Sequence, residues 1–470
     1  MQKSFDVIII GAGSAGLAAA HTVKRHTKTF LLVDQGPLGT TCARVGCMPS
    51  KALIEMAHDV HRTRHLQKTG VITGDHQVQV NHVFERVRQF RDKFVQHVVH
   101  EMDAWGEHFL QGHARFTGPT TLCIDDKHHI EAKSIILATG SRPILPKEWP
   151  QSHPRIVTTD NFFELESIPN RWAIIGLGPI GLELGQALAF LGLDVHGYNT
   201  SQDIGGLRGS GLTQLACQIF EKDLSLNFSD PVDVLEHKGQ LQVKSGERLQ
   251  NVDAILAAIG RQPNVDGLDL ANTGCSLDKD GMPVLDDHTL AIQGLPIYMA
   301  GDVDKKKTIL HEATDDGRIA GYNACHDKPW NSERRTPLGI VFTHPGIATV
   351  GRRPAVGEKS ILGVASYEDQ GRAKLMGANQ GAIHLHVDAG TGRLLGADMI
   401  APAAEHLAHL VAWLIQNKRT VQDMLHLPFY HPTLEEGLRT ALRDAARQWT
   451  ASHSGKDPGV SHHGESPIGL

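Results

Sequence analysis

The chain has 470 residues, enough for two to four domains that each bury their own core. A net charge of −6 with no basic stripe or dense acidic block argues against a nucleic-acid partner, and 40% hydrophobic residues with 48 glycines read as α/β structure built on glycine turns. The apolar stretch Val7 to Ile10 is far too short to span a bilayer and no signal-peptide core precedes it, so the chain is expected to enter its fold directly.

Residues 5–10 (FDVIII) form a short apolar run ending at Gly11, the pattern of a buried parallel strand. GAGSAGLAAA then carries Gly11, Gly13 and Gly16 into a helix that is expected to end near Arg25, and a strand from Thr29 to Val33 ends in Asp34. This strand–turn–helix–strand–acid unit is a dinucleotide fingerprint. The first glycine makes the turn, the second lets a pyrophosphate approach the backbone, and the third lets helix and strand pack closely. The helix N-terminus faces phosphate and Asp34 suits a ribose hydroxyl pair. The pattern returns at Trp172 to Ile175, followed by Gly176, Gly178 and Gly181, a helix to Leu191 and a strand near Val195 to Tyr198. One such motif is weak evidence. Two in one chain imply two dinucleotides.

Between the two units, SIILATGSRP sets Ala138, Thr139 and Gly140 after a strand, and after the second unit PIYMAGDV does the same with Gly301 and Asp302. DAILAAIGRQPN, with Gly260 and Arg261, closes the second nucleotide unit near residue 265. From about residue 336 the pattern changes. Val341 to Gly351 and Ala382 to Asp388 read as strands and Ala404 to Asn417 as a long helix, an appended α+β domain. The polar, Gly- and Ser-rich tail 450–470 is expected to be disordered.

The segment Gly39 to Ile54, GTTCARVGCMPSKALI, carries the chemistry. Cys42 and Cys47 are close enough to form a small-ring disulfide, and a following helix supplies amides that favour a thiolate. No Cys/His pair at zinc spacing accompanies them, so no metal is assigned. Cys123, Cys217, Cys275 and Cys325 are isolated, which suits a reducing cytoplasm. Near the C-terminus His431 precedes Glu436 by five residues, a spacing that lets a carboxylate orient an imidazole as a general base.

These elements together resemble the pyridine nucleotide–disulfide oxidoreductase family, most of all its dihydrolipoamide dehydrogenase branch, over roughly residues 5–448. GTTCARVGCMPSKAL is similar to the family's redox loop, in register with ATG, GLGPIGLE, AGD, THP and HPT elements. The resemblance implies two Rossmann-like domains, for FAD and NAD(P), plus a C-terminal α+β dimerisation domain. The divisions expected are 1–150 for the first part of the FAD domain, 151–265 for the NAD(P) domain, 266–335 for a central FAD-binding part and 336–449 for dimerisation.

It further implies that Cys47 stacks on the flavin and Cys42 exchanges with a lipoyl-type disulfide. His431, held by Glu436, serves the partner subunit of a homodimer. Lys51 and Glu183 form a buried pair beside the flavin, Asp302 binds the ribityl chain, and Gly11, Gly13, Gly16, Asp34 and Thr41 hold the rest of FAD. The second fingerprint with Asn199, Gly260 and Arg261 takes NAD, NADP not being excluded.

Five positions depart from the family pattern. Thr40 stands where a second glycine is usual, Ala43-Arg44 where Leu-Asn or Val-Asn is usual, and Gly346 where Glu is usual. Asn199 stands where NAD-specific relatives carry a carboxylate, and neither Thr200 nor Gly206 supplies the arginine of NADP-specific ones. A metal-ion reductase, a glutathione reductase and a low-turnover flavoprotein subunit are the alternatives.

Overall fold

The computed structural model describes residues 3–453 except 76, 152, 209–210 and 229. Three sheets organise it. In the first, the strands Phe109–Gln111, Phe30–Asp34, Ser4–Ile10 and His128–Leu137 run parallel in that order, and Ile297–Met299 adds in parallel to the last of them. Two further strands, Thr121–Ile124 and Ala114–Phe116, extend that edge antiparallel. The run FDVIII is continuous because both faces are covered: Val7 and Ile9 pack against the helical residues Leu17, Ala20 and Ala313, while Phe5, Ile8 and Ile10 pack against Phe116, Leu122 and Ile124, and Ile8 and Ile9 are wholly buried.

Helix Ser14–Val23 follows the first glycine turn and packs against helix Leu310–Asn323. Their approach is set by glycine: a Cβ at Gly317 would lie 2.1 Å from the Ala15 carbonyl oxygen, and one at Gly321 2.9 Å from that of Ala19.

The second sheet, in the order Ser225–Phe228, Asp194–Asn199, Arg171–Ile175, Ala254–Ala257 and Ile156–Val157, is parallel throughout. An antiparallel meander, Val232–His237, Gln240–Ser245 and Arg248–Val252, is inserted before its fourth strand. A short ladder between Ser141–Pro143 and Arg261–Pro263 ties the first two sheets together.

The third sheet is antiparallel, in the order Leu338–Val341, Gly346–Gly351, Leu394–Ala401, Ala382–Asp388, Ser360–Ser366. Helices Ala404–Gln416 and Glu435–His453 lie against it. The single strand expected over Val341 to Gly351 is therefore two strands, because Thr343-His344-Pro345 turns the chain back on itself. Helix Glu435–His453 also runs past residue 449, so the expected tail is shorter by that turn, and 454–470 lie outside the described residues.

Helices Cys47–Lys68 and Val80–Asp103 form a hairpin, the first of them packed on helix Pro179–Phe190 of the second sheet's unit. Among the described residues no helix is long and apolar enough to cross a membrane.

Candidate active site

Each glycine of the first fingerprint has a separate steric role. Gly11 turns at φ +107°, and a Cβ there would lie 2.2 Å from the Ala138 oxygen. A Cβ on Gly16 would lie 1.8 Å from the Gly11 oxygen, so the helix could not sit on its strand. Gly13 is the opposite case: a Cβ there meets nothing within 4 Å and would project into open space. The second fingerprint repeats this, with Gly176 and Gly181 closed by protein at 2.4 and 1.9 Å and Gly178 open. At both turns the middle glycine leaves free the room that a diphosphate needs against a helix N-terminus.

A cavity of about 430 Å³ extends from Gly11–Gly13 past Asp34, Thr41, Arg44 and Ala138–Gly140 to Arg261. Asp34 braces its rim, accepting from the amides of Ala12 and Gly36, both at 2.6 Å. Thr139 and Asn264 are joined by two bonds, Thr139 Oγ1 to the Asn264 carbonyl at 2.7 Å and Asn264 Nδ2 to the Thr139 carbonyl at 2.9 Å. Ser141 donates to Asp302 Oδ2 at 2.9 Å while accepting from Arg261 Nε at 2.8 Å. Gly301, at φ +79°, donates to the wholly buried Asp316 at 3.2 Å. Asn264, Ser141 and Asp316 were not singled out from the sequence. Asn264 ends the GRQPN run and was within reach of it.

A larger cavity of about 1320 Å³ opens at the second fingerprint, lined by Gly176, Gly178, Ile180, Asn199, Gly260 and Arg261 among others. Asn199 spends its amide donors on the loop after it, bonding the carbonyls of Ser201 at 3.0 Å and Asp203 at 2.8 Å. Its oxygen is left with one long contact, 3.5 Å from the Leu177 amide.

Cys42 sits in a single helical turn, Thr41–Arg44, and Cys47 is the first residue of helix Cys47–Lys68. Both are free thiols, and the Cys42 thiol donates to the Cys47 sulfur. That hydrogen bond, aided by the charge of Lys51, lowers the Cys47 pKa to about 6 despite burial, while Cys42 is held strongly protonated by the same bond and by its own burial. Lys51 Nζ lies 2.8 Å from Glu183 Oε2 and over the Phe342 ring at 4.7 Å. Glu183, itself buried, accepts from the Phe342 amide at 2.8 Å. One turn on, Gln186 accepts from the His344 amide and donates to its carbonyl. Helix Pro179–Phe190 thus holds the Thr343-His344-Pro345 turn against the redox helix.

Thr40 explains why a glycine is usual at its place. Its φ is +54°, a conformation that a β-branched residue rarely adopts, and its side chain caps the next turn by accepting from the Ala43 amide at 3.2 Å. Gly346 opens a strand where a Cβ would already lie 3.2 Å from that of Ala404, so a glutamate would have to displace it.

A third cavity, about 790 Å³, reaches Cys42 between helices Ser14–Val23, Val80–Asp103 and Leu310–Asn323. His431 does not line it. Its side chain is 79% exposed, with Nδ1 3.0 Å from Glu436 Oε1, and this contact lowers the Glu436 pKa. Most of the residues predicted from sequence therefore gather around three cavities, with Asp302 on the second of them and not the first; Cys47, Lys51 and Glu183 line none of the three, and His431 and Glu436 stand apart on the third sheet's domain.

Two family models match the chain: pyridine nucleotide-disulphide oxidoreductase over residues 5–317 and the dimerisation domain of the same family over residues 338–442. A dihydrolipoyl dehydrogenase of Bacillus subtilis is 29% identical over 92% of this chain and 97% of its own length. A mercuric reductase of Staphylococcus aureus is 27% identical over 93% and 82%. The HOCl-induced flavoprotein disulfide reductase RclA of Escherichia coli, solved as a Cu(II) complex, superposes with a TM-score of 0.82 at 22% identity, covering 94% of this chain and 99% of that one. LpdA of Mycobacterium tuberculosis superposes at 0.81 with the same identity and coverage. The chain belongs to the pyridine nucleotide–disulfide oxidoreductases, enzymes that use FAD and take electrons from NAD(P)H.

Proposed function

We propose that this enzyme reduces or forms a lipoyl-type disulfide through Cys42 and Cys47, with FAD held by the first sheet and its central part (1–150 and 266–335) and the nicotinamide by 151–265. One observation carries the reading: a hydrogen-bonded thiol pair, one sulfur acidic and one protonated, with a cavity at Cys42 separate from both nucleotide cavities. When bound, FAD supplies the two-electron relay between nicotinamide and thiols.

The chain's own residues handle the sulfur and proton steps. Cys42 gives its proton to His431, attacks one substrate sulfur and breaks the S–S bond, and the released thiolate takes that proton back from the imidazolium. The Cys47 thiolate then attacks Cys42, freeing the second substrate thiolate and closing the Cys42–Cys47 disulfide. Glu436 stabilises the imidazolium.

The Cys42 cavity is lined by residues no later than Trp330, and His431 is exposed. We therefore assign the base to His431 of the partner subunit in a homodimer joined through 336–449. Asn199 offers neither a carboxylate nor a cation, so the preference for NADH is expected to be small. The free thiols Cys123, Cys217, Cys275 and Cys325 suit a reducing cytoplasm.

The test is NADH-dependent reduction of lipoamide by the FAD-loaded enzyme, with Cys42→Ser and His431→Ala mixed under subunit exchange. Each alone should be inactive or slowed by about a hundredfold to ten-thousandfold, and the heterodimer should regain activity. No lipoamide turnover by wild type refutes the substrate class. No recovery in proven heterodimers refutes the shared site.

A further inference from the structure

Arg44 stands between the two cysteines and has no part in the chemistry above. Its stem lies across Gly39, where a Cβ would come within 3.2 Å of Arg44 Cγ and 3.4 Å of Cδ. Its Nε is sealed from solvent without a hydrogen-bond partner, and among the described residues no carboxylate pairs with its guanidinium. The side chain lines the same cavity as Gly11, Gly13 and Thr41.

Two other arginines line that cavity, and both are engaged. Arg142 bonds Asp266 and, at 3.0 Å, Asn264 Oδ1; Arg261 holds Ser141 through its Oγ at 2.8 Å and its carbonyl at 2.6 Å. Lys51, rather than Arg44, is the cation that acts on Cys42 and Cys47.

A partly buried guanidinium without a counter-charge is costly, and a fold keeps one where an anion arrives. The part of FAD that carries negative charge is its diphosphate, and the open face of Gly13 puts that group in this cavity. We propose that Arg44 is a ligand of the FAD diphosphate, so that the loop bearing both thiols is anchored to the cofactor's charged centre. The inference rests on the FAD assignment.

The experiment titrates apoprotein with FAD, ADP and riboflavin, following flavin fluorescence and binding heat, for wild type, Arg44→Asn and Arg44→Lys. Arg44→Asn should weaken FAD and ADP alike, by about tenfold to a hundredfold for one charge-assisted contact, and leave riboflavin unchanged within about twofold. Arg44→Lys, which keeps the charge but not the fork, should fall between. Circular dichroism of each apoprotein reports folding, and if Arg44→Asn does not fold, the Lys variant's losses for ADP and riboflavin decide. Undiminished FAD and ADP affinity in the variants overturns the proposal, as does a riboflavin loss equal to that for FAD, which marks a collapsed loop. Wild-type apoprotein that binds no FAD overturns the cofactor assignment itself.

Discussion

Replacing Lys51 with Met should raise the Cys47 pKa, and replacing Glu183 with Gln should lower it. Lys51 lies four residues after Cys47 in one helix, a spacing that puts their Cβ atoms about 5–6 Å apart. At about 6 Å and an effective dielectric near 20, Coulomb's law gives about 2.8 kcal/mol, equivalent to about two pH units. Glu183, 2.8 Å from the ammonium, opposes that charge at the sulfur. With the ammonium's partial exposure, about half of the attraction survives.

Lys51→Met should therefore move the Cys47 midpoint up by about one pH unit, and Glu183→Gln should move it down by less. The thiolate is present above its midpoint and is lost as pH falls through it. Wild type thus keeps it down to about pH 6 and Lys51→Met loses it sooner. A Cys42→Ser background leaves a hydroxyl donor and a single thiol of the pair, whose thiolate ultraviolet absorbance is followed against pH. A Lys51→Met midpoint that does not rise, or a Glu183→Gln midpoint that does, refutes the assignment of this ion pair as the governing charge.

Thr40→Gly should relieve about 1–3 kcal/mol of backbone strain against about 1 kcal/mol of glycine entropy. Thr40→Ala keeps the strain and loses the cap, about 1 kcal/mol, so the Gly variant should melt higher than the Ala variant; the reverse order refutes strain at this residue. His344, whose pKa burial and the neighbouring His58 and His61 lower to about 4, stays neutral in the fold while the unfolded chain protonates. Stability should fall as pH drops from about 6.5 to about 4, by about 3 kcal/mol in all. His344→Asn should flatten that slope in urea midpoints taken across this range, and an unchanged slope counts against it. Gly13→Ala should fold and lose FAD affinity, whereas Gly16→Ala should fail to fold, a contrast that circular dichroism and flavin retention check together.

Much of the site was legible because its constraints act on the backbone. Gly11, Gly16, Gly176 and Gly181 are glycine for reasons of contact at about 2 Å, and such reasons leave a fixed spacing in the sequence. The His431–Glu436 contact, between side chains, was legible from spacing alone, a carboxylate five residues after an imidazole.

What escaped lacks punctuation. Strand Ser360–Ser366 alternates strictly between exposed and buried, but two of its inward residues are the small Gly363 and Ala365 while the apolar Leu362 and Val364 face outward, so polarity does not alternate with burial. Helix Val80–Asp103 shows Val83, Phe84 and Val87 at helical spacing, yet neither glycine nor proline bounds it and its outer face is highly charged. Asp316 is buried by a fold that brings Gly301 and Arg334 to it from distant sequence, and no local pattern marks such a residue.

The glycine contact between helices Ser14–Val23 and Leu310–Asn323 bears on how the molecule assembles. The surface of the first helix that Gly317 and Gly321 meet stays bare until the second has been made. Strand Ile297–Met299, made shortly before that helix, likewise comes late to its sheet. By that time the whole second sheet, contiguous from Ile156 to Ala257, has been synthesised and can close on itself. On a ribosome the nucleotide unit begun second is finished first, and the unit begun first waits, half-built, for chain from beyond its neighbour.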